Sequence, residues 1–148
     1  MKLIIVFTLI IISSITHAQN IPKGTKTIIV KNTSFKQIVN RLRDNGYSIK
    51  KLDSNLQTVR TGFLDYNSKS GLLGLSISVH VKDSMAFISG LWYSYKRFSD
   101  GLLTSNHAPR RGDIFQVRYS FGDYKETFLR MNKFAQSLKE EIIYSESL

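Results

Sequence analysis

The 148-residue chain contains no cysteine, so disulfides, thiolate nucleophiles and Cys-ligated metals are all excluded. Proline occurs twice and histidine three times. Two of the histidines, His80 and His107, lie beyond the first eighteen residues, isolated from each other and from any Asp-rich loop. Metal sites require clustered ligands, and no cluster of that kind is present in the sequence. The acidic residues are few and scattered. Glu140 and Glu141 are neighbours in the chain and do not face one another, so paired-carboxylate hydrolysis has no basis. A P-loop and a Gly-x-Gly-x-x-Gly turn are also missing. These absences leave no catalytic residue, metal or cofactor to assign.

Long apolar runs are absent as well, except at the start. Lys2 is followed by residues 3–12, apolar throughout but for Thr8, and then by Ser13, Ser14, Ile15, Thr16, His17 and Ala18. Thr16 and Ala18 fill the −3 and −1 positions of a small-x-small cleavage site, which predicts a secretory signal over 1–18 and a mature chain from Gln19. The competing reading, an uncleaved anchor extended through Ile15, needs roughly 20 apolar residues, and the Ser13-Ser14 break leaves too few. With no cysteine at its end the signal cannot carry a bacterial lipid anchor. A short signal and no cysteine point to a bacterial periplasmic or secreted protein with no transmembrane segment after cleavage. Residues 19–24 read as a flexible leader and 25–148 as a single domain, enough chain for a real core.

Twenty-one basic residues oppose eleven acidic ones, a net charge of +10. Loss of Lys2 with the signal leaves +9. Such a surface is attracted to anionic envelope components, and export argues against nucleic acid as the target. The basic residues are spread along the chain, with adjacent pairs at Lys50-Lys51, Lys96-Arg97 and Arg110-Arg111.

Periodicity orders the domain. Residues 25–31 are a β-branched run, hence a first strand. Ser34 with Gln37 makes a capping box, and Phe35, Ile38, Val39 and Leu42 form an apolar helical stripe that Asn45-Gly46 ends. The sequon Asn32-Thr33-Ser34 is read as part of this cap. Residues 47–52 and 56–66 predict two strands joined by a turn at Asp53-Ser54-Asn55. In 73–82, Leu73, Leu75, Ile77, Val79 and Val81 alternate strictly with Gly74, Ser76, Ser78, His80 and Lys82, as in a strand with one buried and one wet face. A hairpin at Asp83-Ser84 leads to a strand over 85–95, where Gly90 marks a bulge or a close approach. Residues 115–121 predict a last strand. Asp123 then caps a long helix, its stripe running Tyr124, Phe128, Met131, Ala135, Leu138, Ile142. The fold class is α+β: an antiparallel sheet of five to six strands, a short N-terminal helix and a long C-terminal helix, in the order β-α-β-β-β-β-(β)-α.

This order resembles the TBP-like and helix-grip families. More locally, the helix end and strand start Asn45-Gly46-Tyr47-Ser48-Ile49, with the alternating Gln57-Thr58-Val59-Arg60-Thr61, are similar to domains of the outer-membrane assembly lipoprotein family BamC. The match spans about a fifth of the chain and lacks that family's lipidated cysteine. The resemblance implies an envelope setting and a sheet cradling helices; no functional residue is carried over.

Two places invite a ligand or partner. Trp92, Tyr93 and Tyr95 lie on a strand apolar in both registers, and the helix-grip resemblance implies a groove between that strand and the last helix. The 96–113 connection holds Arg97, His107, Arg110 and Arg111, either as an anion-binding rim or as a solvated loop. Its Arg111-Gly112-Asp113 spells the integrin tripeptide, which a loop turn explains as well. A Ser–His pair of His80 with Ser76 or Ser78 is weighed against an ordinary strand histidine, and the ordinary reading is preferred. The expected function is an exported, non-enzymatic binding domain of the bacterial envelope. Its partner is another envelope protein or an anionic envelope surface. The alternative is a carrier of a small apolar or lipid-like molecule between sheet and C-terminal helix.

Overall fold

The computed structural model describes residues 20–96 and 110–147. The expected signal, Arg97 and His107 lie outside the described residues. The chain runs β1 (Thr27–Val30), α1 (Phe35–Asp44), β2 (Ile49–Asp53), β3 (Thr58–Thr61), β4 (Leu64–Asn67), β5 (Leu72–Lys82), β6 (Met85–Lys96), β7 (Arg110–Arg111), β8 (Phe115–Gln116), α2 (Gly122–Gln136) and β9 (Ile142–Ser145). The α+β class with an antiparallel sheet is therefore correct, but eight strands rather than five to six form the sheet. Its spine is β2-β3-β5-β6-β1-β9, with β4 on β5 and β8 on β6; β7 pairs only with the far end of β6.

The β5–β6 hairpin organises the sheet, pairing Leu73 with Ser94 through to Lys82 with Met85. Its two-residue turn holds Asp83 and Ser84 at φ 50° and 57°, the left-handed pair that a tight hairpin needs to match strand twist. Register sorts the side chains. Leu73, Leu75, Ile77, Val79 and Val81 share a face with Trp92, Gly90, Ile88 and Ala86, and with Ile28 and Val30 of β1. Both helices pack on this face, through Ile38, Val39 and Leu42 of α1 and Phe128, Met131, Phe134 and Ala135 of α2. The opposite face carries no helix among the described residues.

Local chemistry accounts for the helix ends. The Ser34 Oγ accepts from the Gln37 N–H at 3.3 Å. Past Asp44, Gly46 at φ 81° donates to the Arg43 carbonyl and Tyr47 to that of Leu42, the glycine closure expected of Asn45-Gly46. At α2 the N-cap is Phe121, with no side-chain cap. Asp123 sits inside the helix, where its carboxylate accepts from Ser70 and its carbonyl from the Thr127 hydroxyl.

Three expected boundaries move. The single strand over 56–66 divides at Gly62-Phe63. There Thr61 turns its Oγ1 to the Ile77 N–H at 2.9 Å and its carbonyl to the Ser76 hydroxyl at 2.8 Å, replacing ladder bonds with side-chain ones. The strand expected over 115–121 is only Phe115–Gln116, because Tyr119 leaves to exchange backbone hydrogen bonds with Gly24 and Thr25 at 2.7 Å. That exchange, with Ile21 packed on the core, holds residues 20–24, expected as a leader. Finally, the long helix ends at Gln136. Its stripe holds through Leu138, but Lys139 turns left-handed at φ 61° and the β-branched Ile142-Ile143 continues as β9 on the edge of β1. Ile142 still faces the core, from a strand.

Gly90 proves to be a close approach. A Cβ there would lie 2.9 Å from Val117 Cγ2 and 3.1 Å from both Met131 Sδ and the Ser76 carbonyl. Gly90→Ala should therefore cost about 1–3 kcal/mol as α2 and residue 117 are pushed off the sheet, read from the urea midpoint. Burial also pushes the Tyr47 phenol up to about 12 from its ordinary 10, and raises Tyr66 and Tyr144. The folded state resists ionisation of these groups. Their stabilising contribution is complete below pH 10 and is lost as pH climbs from 10 toward 12. Ultraviolet titration of tyrosinate should show a late-ionising fraction whose appearance coincides with unfolding, and Tyr47→Phe should shift the unfolding midpoint upward in pH.

Candidate functional site on the open sheet face

The aromatic trio does not form one groove. Trp92 lies opposite Leu75 on the helix-covered face, 4% exposed. It packs on Phe115 at 5.3 Å and edge-on to Tyr124 of α2 at 4.9 Å, with its Nε1 lacking a hydrogen-bond partner. Tyr93 and Tyr95 alternate to the other face. There the Tyr93 hydroxyl donates to Asp65 Oδ1 at 2.5 Å and the Tyr95 hydroxyl to Oδ2 at 2.9 Å, with the Tyr93 ring seated over Gly74. Only Trp92 meets α2, and the space there is filled by Phe128, Met131 and Phe134, each at most 2% exposed. Of the loop cations, Arg110 and Arg111 lie in β7, their backbone paired with Lys96 and Tyr95; their side chains, like Arg97 and His107, fall outside the described part. In the RGD segment, the Gly112 N–H bonds the Ser94 carbonyl at 2.9 Å. His80 has neither serine as a partner. Ser76 is buried and donates to the Thr61 carbonyl, and Ser78 accepts from Arg60.

The open face instead assembles a cationic trough. Continuous cross-strand register puts Lys51, Arg60, Ser78 and Ser89 in one row across β2, β3, β5 and β6. The neighbouring row holds Asp53, Thr58, His80, Phe87 and Ile29, and Lys82 stands one row further along β5. All of these but Asp53 and Ile29, together with Thr27, line a concavity of about 620 Å³. Its lining combines the hydroxylated Thr27, Thr58, Ser78 and Ser89 with Val59, Val79 and the Phe87 ring, 6.3 Å from His80, and with the cations.

The trough gathers three cations, Lys51, Arg60 and Lys82, and His80 around one concavity. Some cations elsewhere among the described residues have companions. Lys31 pairs with Glu141 at 2.8 Å, Arg130 lies 3.9 Å over the Tyr66 ring and Arg118 lies 4.6 Å over that of Tyr124. In the trough Arg60 has only the Ser78 hydroxyl, at 3.2 Å from its Nε, and neither Lys51 nor Lys82 has an ion pair among the described residues. No acid lines it. Asp53, on the same face beyond Lys51, spends its Oδ1 on the Asn55 and Leu56 N–H groups of its own turn, each at 3.0 Å. Like charges directly opposite one another, as Lys51 and Arg60 are, destabilise a sheet. One buried hydroxyl is also orphaned: Thr27 is 2% exposed and its Oγ1 has no partner.

None of Lys51, Arg60, Lys82 or Thr27 is a candidate ligand or partner residue in the sequence, where they lie far apart. The legible part was the polar register of β5, with His80 and Lys82 at its end. The missing part was which neighbours that register would meet. The fold and trough thus define an α+β protein with one helix-covered and one cationic sheet face. No protein-family model matches the chain, and no curated protein matches its sequence.

If the Lys51–Arg60 juxtaposition is a cost the fold bears, Lys51→Gln should raise stability by about 0.2–1 kcal/mol. The gain should shrink in 1 M salt, where the repulsion is already screened. Urea midpoints at low and high salt check both statements.

Proposed function

We propose that the protein is an exported, non-catalytic binding domain of the bacterial cell envelope that engages an anionic partner through its open sheet face. The observation that supports this reading most is the trough: three cations and a histidine around one concavity, with no acid among its lining residues. An arrangement that costs stability and is not neutralised from within is suited to an anion from without. Among the described residues the space between α2 and the sheet is filled by Phe128, Met131 and Phe134, so a carrier holding its ligand beneath α2 is the weaker reading. The predicted signal over 1–18 supports export, and a sheet with both helices on one face is in keeping with a TBP-like or helix-grip arrangement.

Two measurements test this. Expressed with its own N-terminus in a Gram-negative bacterium, the protein should be recovered from the periplasm with intact mass corresponding to a start at Gln19; retention in the cytoplasm at full length opposes export. In a backbone-amide NMR titration, dextran sulfate should shift resonances of Arg60, Ser78, His80, Lys82 and Ser89, and the effect should fade with salt. Unsulfated dextran should not produce these charge-driven shifts at the same concentration. The K51Q/R60Q/K82Q variant should lose the response. Shifts mapping to α1 and α2, or binding undiminished in the variant, would overturn the assignment of the open face.

A further inference from the structure

Resting on the anion-binding reading of the open face, we infer that the trough takes an acidic oligosaccharide: an elongated, hydroxyl-rich ligand with at least two anionic groups. Strand geometry gives the length. Arg60 is registered on Ser78, and Lys82 lies four residues further along β5. At about 3.3 Å per residue the two cationic stations are about 13 Å apart. One oxyanion cannot bridge that distance, whereas an oligomer of acidic sugars carries its charges at intervals along a chain.

The floor between the stations selects the body of the ligand. Thr27, Thr58, Ser78 and Ser89 are among the trough's lining residues, and the Thr27 Oγ1 is a buried polar group with no hydrogen-bond partner. A buried hydroxyl left unmatched costs free energy, and a ligand hydroxyl that reaches it relieves that cost. An acyl chain could not serve any of these groups, so a lipid is disfavoured even though its headgroup would suit the cations. The Phe87 ring, half-buried beside His80, gives the apolar wall against which the C–H face of a sugar ring packs.

Isothermal titration calorimetry of the purified chain with tetragalacturonate tests the inference, using galacturonate monomer, maltotetraose, tripolyphosphate and phosphatidylglycerol vesicles as comparators. The tetramer should bind at least about tenfold more tightly than the monomer, and Lys82→Gln should reduce the difference by a similar factor. Thr27→Val keeps the shape while removing the hydroxyl. It should weaken the tetramer severalfold, leave tripolyphosphate unchanged and leave the urea midpoint unchanged or higher. Ser89→Ala serves the same purpose should the Thr27 variant fold poorly. Equal binding of tetragalacturonate and tripolyphosphate, unaffected by either hydroxyl deletion, would overturn the sugar assignment while leaving an anion-binding face intact. Binding of vesicles but not of the tetramer would overturn it in favour of a lipid surface. Failure of every anion, dextran sulfate included, would instead overturn the reading on which it rests.

Discussion

The long pairing of β5 with β6 is the constraint on which the rest of the molecule is hung. It fixes which side chains share a face over ten consecutive residue pairs, and every other strand is registered on it directly or at one remove. β3 and β4 take successive lengths of one edge of β5; β1 and β8 take the outer edge of β6; β2 and β9 follow on β3 and β1. A slip of one residue in this hairpin would exchange the Leu-Ile-Val column of β5 for its Ser-His-Lys column. It would thereby bury charge and expose the core. The fold and the candidate site are two sides of one register.

Much of the architecture could be read from residue types because its determinants are local. Ser34, Gly46 and the stripe Ile38, Val39 and Leu42 carry all that α1 needs, and the alternation of 73–82 declares both faces of β5. Where the reading failed, long-range partners had overridden local pattern. The spacing from Tyr124 to Ile142 is equally good as one helix. Only the free edge of β1, more than a hundred residues earlier, makes Ile142–Ser145 more stable as a strand. Residues 56–66 look like one strand until the Thr61 side chain is required by the Ile77 backbone. Both errors have the same physical origin: propensity describes a segment, and hydrogen bonding describes a pair.

The site was less legible than the fold. Aromatic residues draw attention in a sequence, and Trp92, Tyr93 and Tyr95 did so. In the structure each is absorbed by its own neighbours: Trp92 by Phe115 and Tyr124, the two tyrosines by Asp65. The residues that meet around the trough were the unremarkable ones, a threonine, two lysines and an arginine from four different strands. Charge without a partner is a property of the assembled register and cannot be found by counting basic residues along the chain.

The placement of β1 between β6 and β9 has a kinetic consequence. A strand formed near the start of the chain obtains one neighbour from its middle and the other from its last residues. Closing such separations is entropically slow, and topologies dominated by them fold late and as a unit. Until β9 is made, β1 presents an open edge and α2 has no finished sheet to cover. The β5–β6 hairpin can form from neighbouring residues alone, whereas β1 completes its pairing only when β9 reaches it.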